Sequence, residues 1–199
     1  RAAVGIDYGT VHLSAVVVVQ KDTSGRIWAR ECWVGGEEED PILEVARSYK
    51  RRYNAYAGVV DPIPAMQMLA DKLGFERSGQ STKGTRGAEG SRIANIMRVK
   101  SLLATDALRF DLDGPGIPDL FSEAVMYRWL HKDTENIEKY LVDRHNDDRV
   151  AALEYAIEAL EVGSTGDGKG PLTVRPQRET RPTHAGGWTR TPVRAGGWG

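Results

Sequence analysis

The chain has 199 residues, 40% hydrophobic and 28% charged, with 27 Lys and Arg against 28 Asp and Glu for a formal charge of -1. That length suits one compact domain, or a domain of about 160 residues with an appendage, and excludes a two-lobed enzyme. The charge content excludes a membrane bundle and predicts a soluble protein. Within the chain, residues 163–199 carry six Lys and Arg against two Asp and Glu, so an acidic body of -5 precedes a basic tail of +4.

Cys32 is the only cysteine, so no internal disulfide or multi-cysteine metal site can form, which fits a reducing intracellular setting. No apolar run approaches the ~20 residues needed to cross a bilayer, and the start lacks the layout of a signal peptide. The opening "RAAVGIDYG" has no initiator methionine and runs straight into a strand pattern. We therefore expect a piece of something longer.

"AAVGID" reads as a short strand ending at Asp7, followed by the tight turn "YGT". The valine-rich "LSAVVVVQKD" and then "RIWARECWV" read as two more strands, giving a three-stranded opening with antiparallel hairpin connections. In "PILEVARSYKRRYN", Ile42, Val45, Ala46 and Tyr49 recur at helical spacing after Pro41. "AYAGVVDP" reads as a strand with Asp61 at its carboxyl end, and "IPAMQMLADKLG" as a crossover helix closed by Gly74. "FERSGQSTKGTRGAEG" has no apolar period and reads as an exposed loop.

The helical period resumes in "SRIANIMRVKSLLATDAL", and "RFDLDGPGIP" is a brief extended segment and turn. "DLFSEAVMYRWLH" and "DDRVAALEYAIEALEV" read as amphipathic helices, the second with Val150, Leu153, Ile157 and Leu160 along one face. The pattern predicts an α/β layer with an antiparallel edge over residues 1–162. Residues 163–199, with nine glycines and "AGGW" twice, predict a basic flexible tail that cannot bury enough apolar area to order itself. Its Arg and Trp residues suit a nucleic-acid backbone, bases or a protein groove, or a plain flexible tail.

Three acids sit where chemistry can be done. Asp7 ends a strand beside a glycine turn, where Gly9 lets a phosphate or cation approach. Asp61 repeats this arrangement, and in a parallel α/β sheet the carboxyl ends of adjacent strands border ligand crevices. Asp147 or Asp148 begins the last helix. Turn formation and capping account for any one of these acids, but not for three able to meet. Together around Mg²⁺ or Mn²⁺ they would give hard oxygen ligation and an activated water for phosphodiester chemistry.

With "VGIDYGTVHLSAVVVV", "GVVDP" and "HNDDRVAALEYAI", residues 3–162 resemble the C-terminal nuclease domain of the large terminase subunit of tailed double-stranded DNA bacteriophages. That family belongs to the ribonuclease-H-like superfamily. The resemblance implies a ribonuclease-H-like mixed sheet, antiparallel in its opening strands and flanked by helices. It implies a two-metal endonuclease that cuts concatemeric viral DNA during genome packaging, leaving 5′ phosphate and 3′ hydroxyl ends. Asp7 matches the family's first acid, Asp61 the second, and Asp148 the third, with Asp147 as the alternative. Family members often carry a further acid one turn into the last helix, where this chain has Ala151. The resemblance also implies an N-terminal ATPase motor, portal and small terminase subunit as partners, no membrane, and a host-cytoplasmic packaging complex.

Arg77, Lys83, Arg86, Arg92 and Lys100 are the candidates for phosphate contact, Lys83 and Arg86 first, against the plainer reading of a solvated loop. His145 stands beside the acidic pair, and His12 is a weaker candidate. Trp28 and Trp33 read as strand packing, Tyr127 and Trp129 as helix packing, and Cys32 as a small hydrophobe. "GIDYGT" also resembles the first phosphate loop of actin-like ATPases, but the second Gly-rich phosphate segment is missing, as is any GxxxxGK[ST] loop. A junction resolvase or transposase-like nuclease uses the same acidic framework. A non-catalytic DNA-binding or portal-docking module would keep the acids only as caps.

Overall fold

The computed structural model describes residues 1–9, 13–60, 64–80, 88–126, 129–131, 141–142 and 147–162. Strands β1 (Ala2–Asp7), β2 (Ser14–Lys21) and β3 (Ile27–Gly35) form an antiparallel meander. Helix α1 (Glu39–Tyr53) leads into β4 (Ala55–Val60), which lies parallel to β1 with Gly5 opposite Val59 and Ile6 opposite Val60. Helix α2 (Pro64–Leu73) crosses to β5 (Arg77–Gln80), parallel to β4, and α3 (Ala88–Ala104) leads to β6 (Leu108–Phe110), parallel to β3. Helix α4 (Ile117–Met126), a small ribbon of β7 (Trp129–His131) and β8 (Leu141–Val142), and α5 (Asp148–Val162) complete the described chain. The main sheet is ordered β5-β4-β1-β2-β3-β6. This is the ribonuclease-H-like α/β mixed sheet, with an antiparallel opening and helices on its flanks.

β1 and β2 are covered on both faces, which is why their sequences are continuous apolar runs and not alternating ones. On one face Val4, Ile6, Val16 and Val18 pack with Ile42, Ala46 and Tyr49 of α1 and Leu69 and Leu73 of α2. On the other, Ala3, Val17, Val19, Ala57 and Val59 pack with α5. Each large aliphatic side chain so buried contributes roughly 1.5–3 kcal/mol.

α1 stops where Asn54 enters the left-handed region (φ 49°) and its N–H returns to the Lys50 carbonyl, turning the chain straight into β4. Lys50 then ties α1 to the end of α2 by donating to the Leu73 and Gly74 carbonyls, at 3.2 and 2.6 Å.

Three sequence expectations change. The segment expected as one loop after Gly74 begins with a strand, β5, so Arg77 sits on the sheet's edge. The helix expected through residue 131 ends at Met126, and Trp129 belongs to β7. α5 is no one-faced amphipathic helix: every residue from Val150 to Leu160 is buried, Glu154 and Glu158 included. Glu158 accepts from Asn95 Nδ2 at 3.5 Å, and at the rim Arg98 pairs with Glu161 at 2.9 Å. The expected tail, residues 163–199, lies outside the described residues.

Candidate functional site

The site is set by how α5 crosses the sheet. A Cβ placed on Gly5 would lie 2.0 Å from the Ala152 carbonyl oxygen and 2.3 Å from the Ala156 nitrogen, so only glycine admits the helix backbone there. Ala151, Ala152, Ala156 and Ala159 keep the helix narrow and fully buried at this level. Its direction follows from Tyr56, at the start of β4, whose hydroxyl donates to the Leu160 carbonyl near the end of α5 at 3.2 Å. α5 therefore runs antiparallel to β1 and β4, and its first turn lies at their carboxyl ends.

Asp7 and Asp148 are both carried to that level. Asp148 is one turn before Ala152, about 6 Å back along the helix. Asp7 is two residues beyond Gly5, about 6.6 Å along the strand and on the same face. The two displacements run the same way, so the end of β1 and the start of α5 deliver their acids to one edge. Asp7, Asp147 and Asp148 are all partly exposed there.

The turn after Asp7 is braced by the Gly9 N–H donating to Ser14 Oγ at 3.2 Å and by the Tyr8 hydroxyl donating to the Glu37 carbonyl at 2.7 Å. The Asp147 carbonyl accepts from the Ala151 N–H at 2.8 Å, which makes Asp147 the cap residue and Asp148 the first residue of α5.

Sequence reasoning missed Glu123 on α4. One of its oxygens accepts from the Val150 N–H at 2.9 Å, and the other from Arg149 Nη1 at 3.1 Å. Its side chain is 8% exposed, and burial pushes its carboxyl above the ordinary range against the pull of Val150 and Arg149. Arg149 also reaches Asp119 at 3.7 Å. A signal was available: Ile117, Leu120, Glu123 and Ala124 share one helical stripe, and the first two are fully buried.

The remaining candidates divide. Asp61, Lys83, Arg86, His12, His145 and Tyr127 lie outside the described residues. Arg77 and Arg92 are placed by backbone only, on β5 and α3. Lys100 is half-buried and lines a groove between α3, α4 and α5 with Val99, Ala124, Val150 and Glu154, close to the first turn of α5.

Cys32 is buried and its thiol is pushed up to about 12 by burial, so it packs as an inert hydrophobe. Trp28 lies at the far end of the sheet, with Arg30 and Arg109 at 5.2 and 5.7 Å from its ring and its indole N–H on Asp22. Among the described residues, no group of three or more His, Cys, Asp or Glu is arranged to hold a metal ion. Of the expected acids, Asp7, Asp147 and Asp148 fall within that set. As hard oxygen donors on one edge, they suit a hard divalent cation in kind.

The fold belongs to the ribonuclease-H-like class of architectures. Among solved structures, the chain is similar to the large terminase of a thermophilic bacteriophage, with a TM-score of 0.57 at 16% identity over 78% of this chain and 38% of that one. The large terminase nuclease of a second thermophilic phage, G20c, gives 0.60 at 16% identity over 79% and 81%. The P22 large terminase nuclease domain gives 0.52 at 15% over 78% and 79%. The chain thus spans little more than a third of the first of these, the whole large terminase, and most of the two nuclease structures. At these identities the likeness is one of fold. No protein-family model and no curated protein sequence matches the chain. Among the described residues, no helix is long and apolar enough to cross a membrane.

Proposed function

We propose that this chain is the nuclease part of a viral large terminase, a metal-dependent endonuclease that cuts concatemeric double-stranded DNA during genome packaging. The observation that carries the reading is the delivery of Asp7 and the acidic first turn of α5 to one sheet edge, enforced by the contact of Gly5 with Ala152 and Ala156. The similar folds of phage terminase nucleases support it.

In this reading Asp7, Asp61 and Asp148 hold Mg²⁺ or Mn²⁺, with Asp147 as the alternative to Asp148. The described register supports Asp61, because β4 ends at Val60 opposite Ile6, one residue before each acid. When bound, such ions would neutralise phosphodiester charge and activate water. Two ions are the expected complement.

The protein's own contribution is rigid placement. Asp7 ends a strand buried on both faces, and Asp148 starts a helix buried on all sides. Both acids are therefore carried on rigid elements. Lys83, Arg86, Arg77, Arg92 and Lys100 would draw the phosphates to that edge, making binding salt-dependent. The basic segment 163–199 would serve contacts with DNA or with a packaging partner. An ATPase motor in the same polypeptide, a portal and a small terminase subunit would be the partners, in the host cytoplasm.

The test is cleavage of supercoiled and linear duplex DNA by the purified chain with EDTA, Mg²⁺ or Mn²⁺, beside Asp7→Ala. Cutting that requires metal and disappears in the variant supports the nuclease. Salt-sensitive DNA binding with no cutting in any arm would favour a docking module instead.

A further inference from the structure

We infer that Glu123 is a positioning residue for the acid-bearing turn of α5, an assignment that rests on the reading of Asp148 as a metal ligand. The first N–H groups of a helix have no partner within it. Here the Val150 N–H, in the first turn, is taken by Glu123 Oε1 of α4 at 2.9 Å. The second oxygen, Oε2, holds Arg149, the residue directly after Asp148, at 3.1 Å. One carboxylate therefore ties down the two residues that follow Asp148, and does so from a different helix.

The attachment is well made. Glu123 is 8% exposed, so its hydrogen bonds face little competition from water. Its own helix is anchored by fully buried Ile117 and Leu120, and Gly116 (φ 69°) seats the start of α4 against β3, where an added Cβ would lie 2.0 Å from the Cys32 carbonyl oxygen.

The second bond reaches a side chain that α4 engages twice. Glu123, with Asp119 at 3.7 Å, engages the Arg149 guanidinium on the α4 side. Glu123 thus holds the backbone that follows Asp148 and engages the neighbouring guanidinium.

The test compares Glu123→Ala, Glu123→Gln and Asp148→Asn in the full chain, reading Mn²⁺ binding by calorimetry and amide exchange at Val150 and Ala151 in metal-free protein. The Gln oxygen can still accept from Val150. The expected result is Val150 exchange about tenfold or more faster in Glu123→Ala and within about threefold of native in Glu123→Gln, while the interior of β2 stays protected. Mn²⁺ affinity should fall about tenfold in Glu123→Ala, in the range of lost outer-shell support, with substantial rescue by Gln.

Equal losses in Ala and Gln would overturn the assignment, because they would make Glu123 a ligand in its own right. So would native Mn²⁺ affinity in Glu123→Ala where Asp148→Asn has lost it. If Glu123→Ala fails to fold, Glu123→Gln decides: near-native Val150 exchange and Mn²⁺ affinity support the assignment, and loss of either overturns it. If Asp148→Asn leaves Mn²⁺ binding unchanged, the metal-ligand reading fails. Exchange at Val150 then decides alone, faster in Ala than in Gln for an anchor of the turn, and equal in both for none.

Discussion

The two faces of the sheet are covered in different ways. α1 covers its face as an ordinary surface helix does, with Ile42, Leu43, Ala46 and Tyr49 turned inward and Glu44, Arg47 and Arg51 left on the outer side. α5 covers the other face with no exposed side at all between Val150 and Leu160, small residues against the strand, and backbone touching backbone at Gly5. The first arrangement asks only for apolar volume and tolerates substitution. The second fixes the height and direction of one helix, and with them where its first turn meets the end of β1.

That contrast is open to attack by substitution. The largest effect should come from the acids: Asp7→Asn or Asp148→Asn should lower metal-dependent cleavage by on the order of 10³-fold, since a metal's charge stabilisation is worth several kcal/mol. Thermal unfolding should shift little, which separates loss of chemistry from loss of fold.

Next is Gly5→Ala, which forces a methyl into the α5 backbone and should cost roughly 3 kcal/mol, near the upper end for overpacking, as measured by urea unfolding. It should also weaken cleavage at temperatures where the variant is folded. Ile42→Val on the α1 face should cost only about 1 kcal/mol and leave cleavage alone. Equal effects of the two core substitutions on cleavage would break the distinction between the faces.

The smallest effect lies far from the site. Asp22 accepts from Ser24 Oγ and the Trp28 indole N–H, and from the Ser24 and Arg26 N–H groups, which together hold its carboxyl down at about 2. A lowered folded-state value means its contribution is present above the unfolded value near 4 and is lost as the pH falls through about 2. NMR titration of Asp22 should show that low midpoint. Cleavage between pH 6 and 8 should not respond to Asp22→Asn.

Much of this was legible in the residues. Runs such as "AAVGI" and "AVVVV" announce strands, and the strand-end acids announce an edge. β5 was not legible, because Arg77–Gln80 has no apolar alternation: the free edge of β4 makes it a strand, and its own side chains do not. The ribbon at Trp129 has the same cause, being too short for a period to show.

Glu154 and Glu158 make the sequence of α5 read as half-solvated, whereas α3 closes over that side and Asn95 meets Glu158. Glu123 could be found only by noticing an acid on an otherwise apolar stripe. What it does there depends on a helix that begins 25 residues later.

The most direct test of the central claim is a crystal structure of the chain grown with Mn²⁺, with the ion located by its anomalous signal. The account predicts an ion whose ligands include oxygens of both Asp7 and Asp148, each within about 2.6 Å. An ion held elsewhere, or by one of these acids without the other, would contradict it.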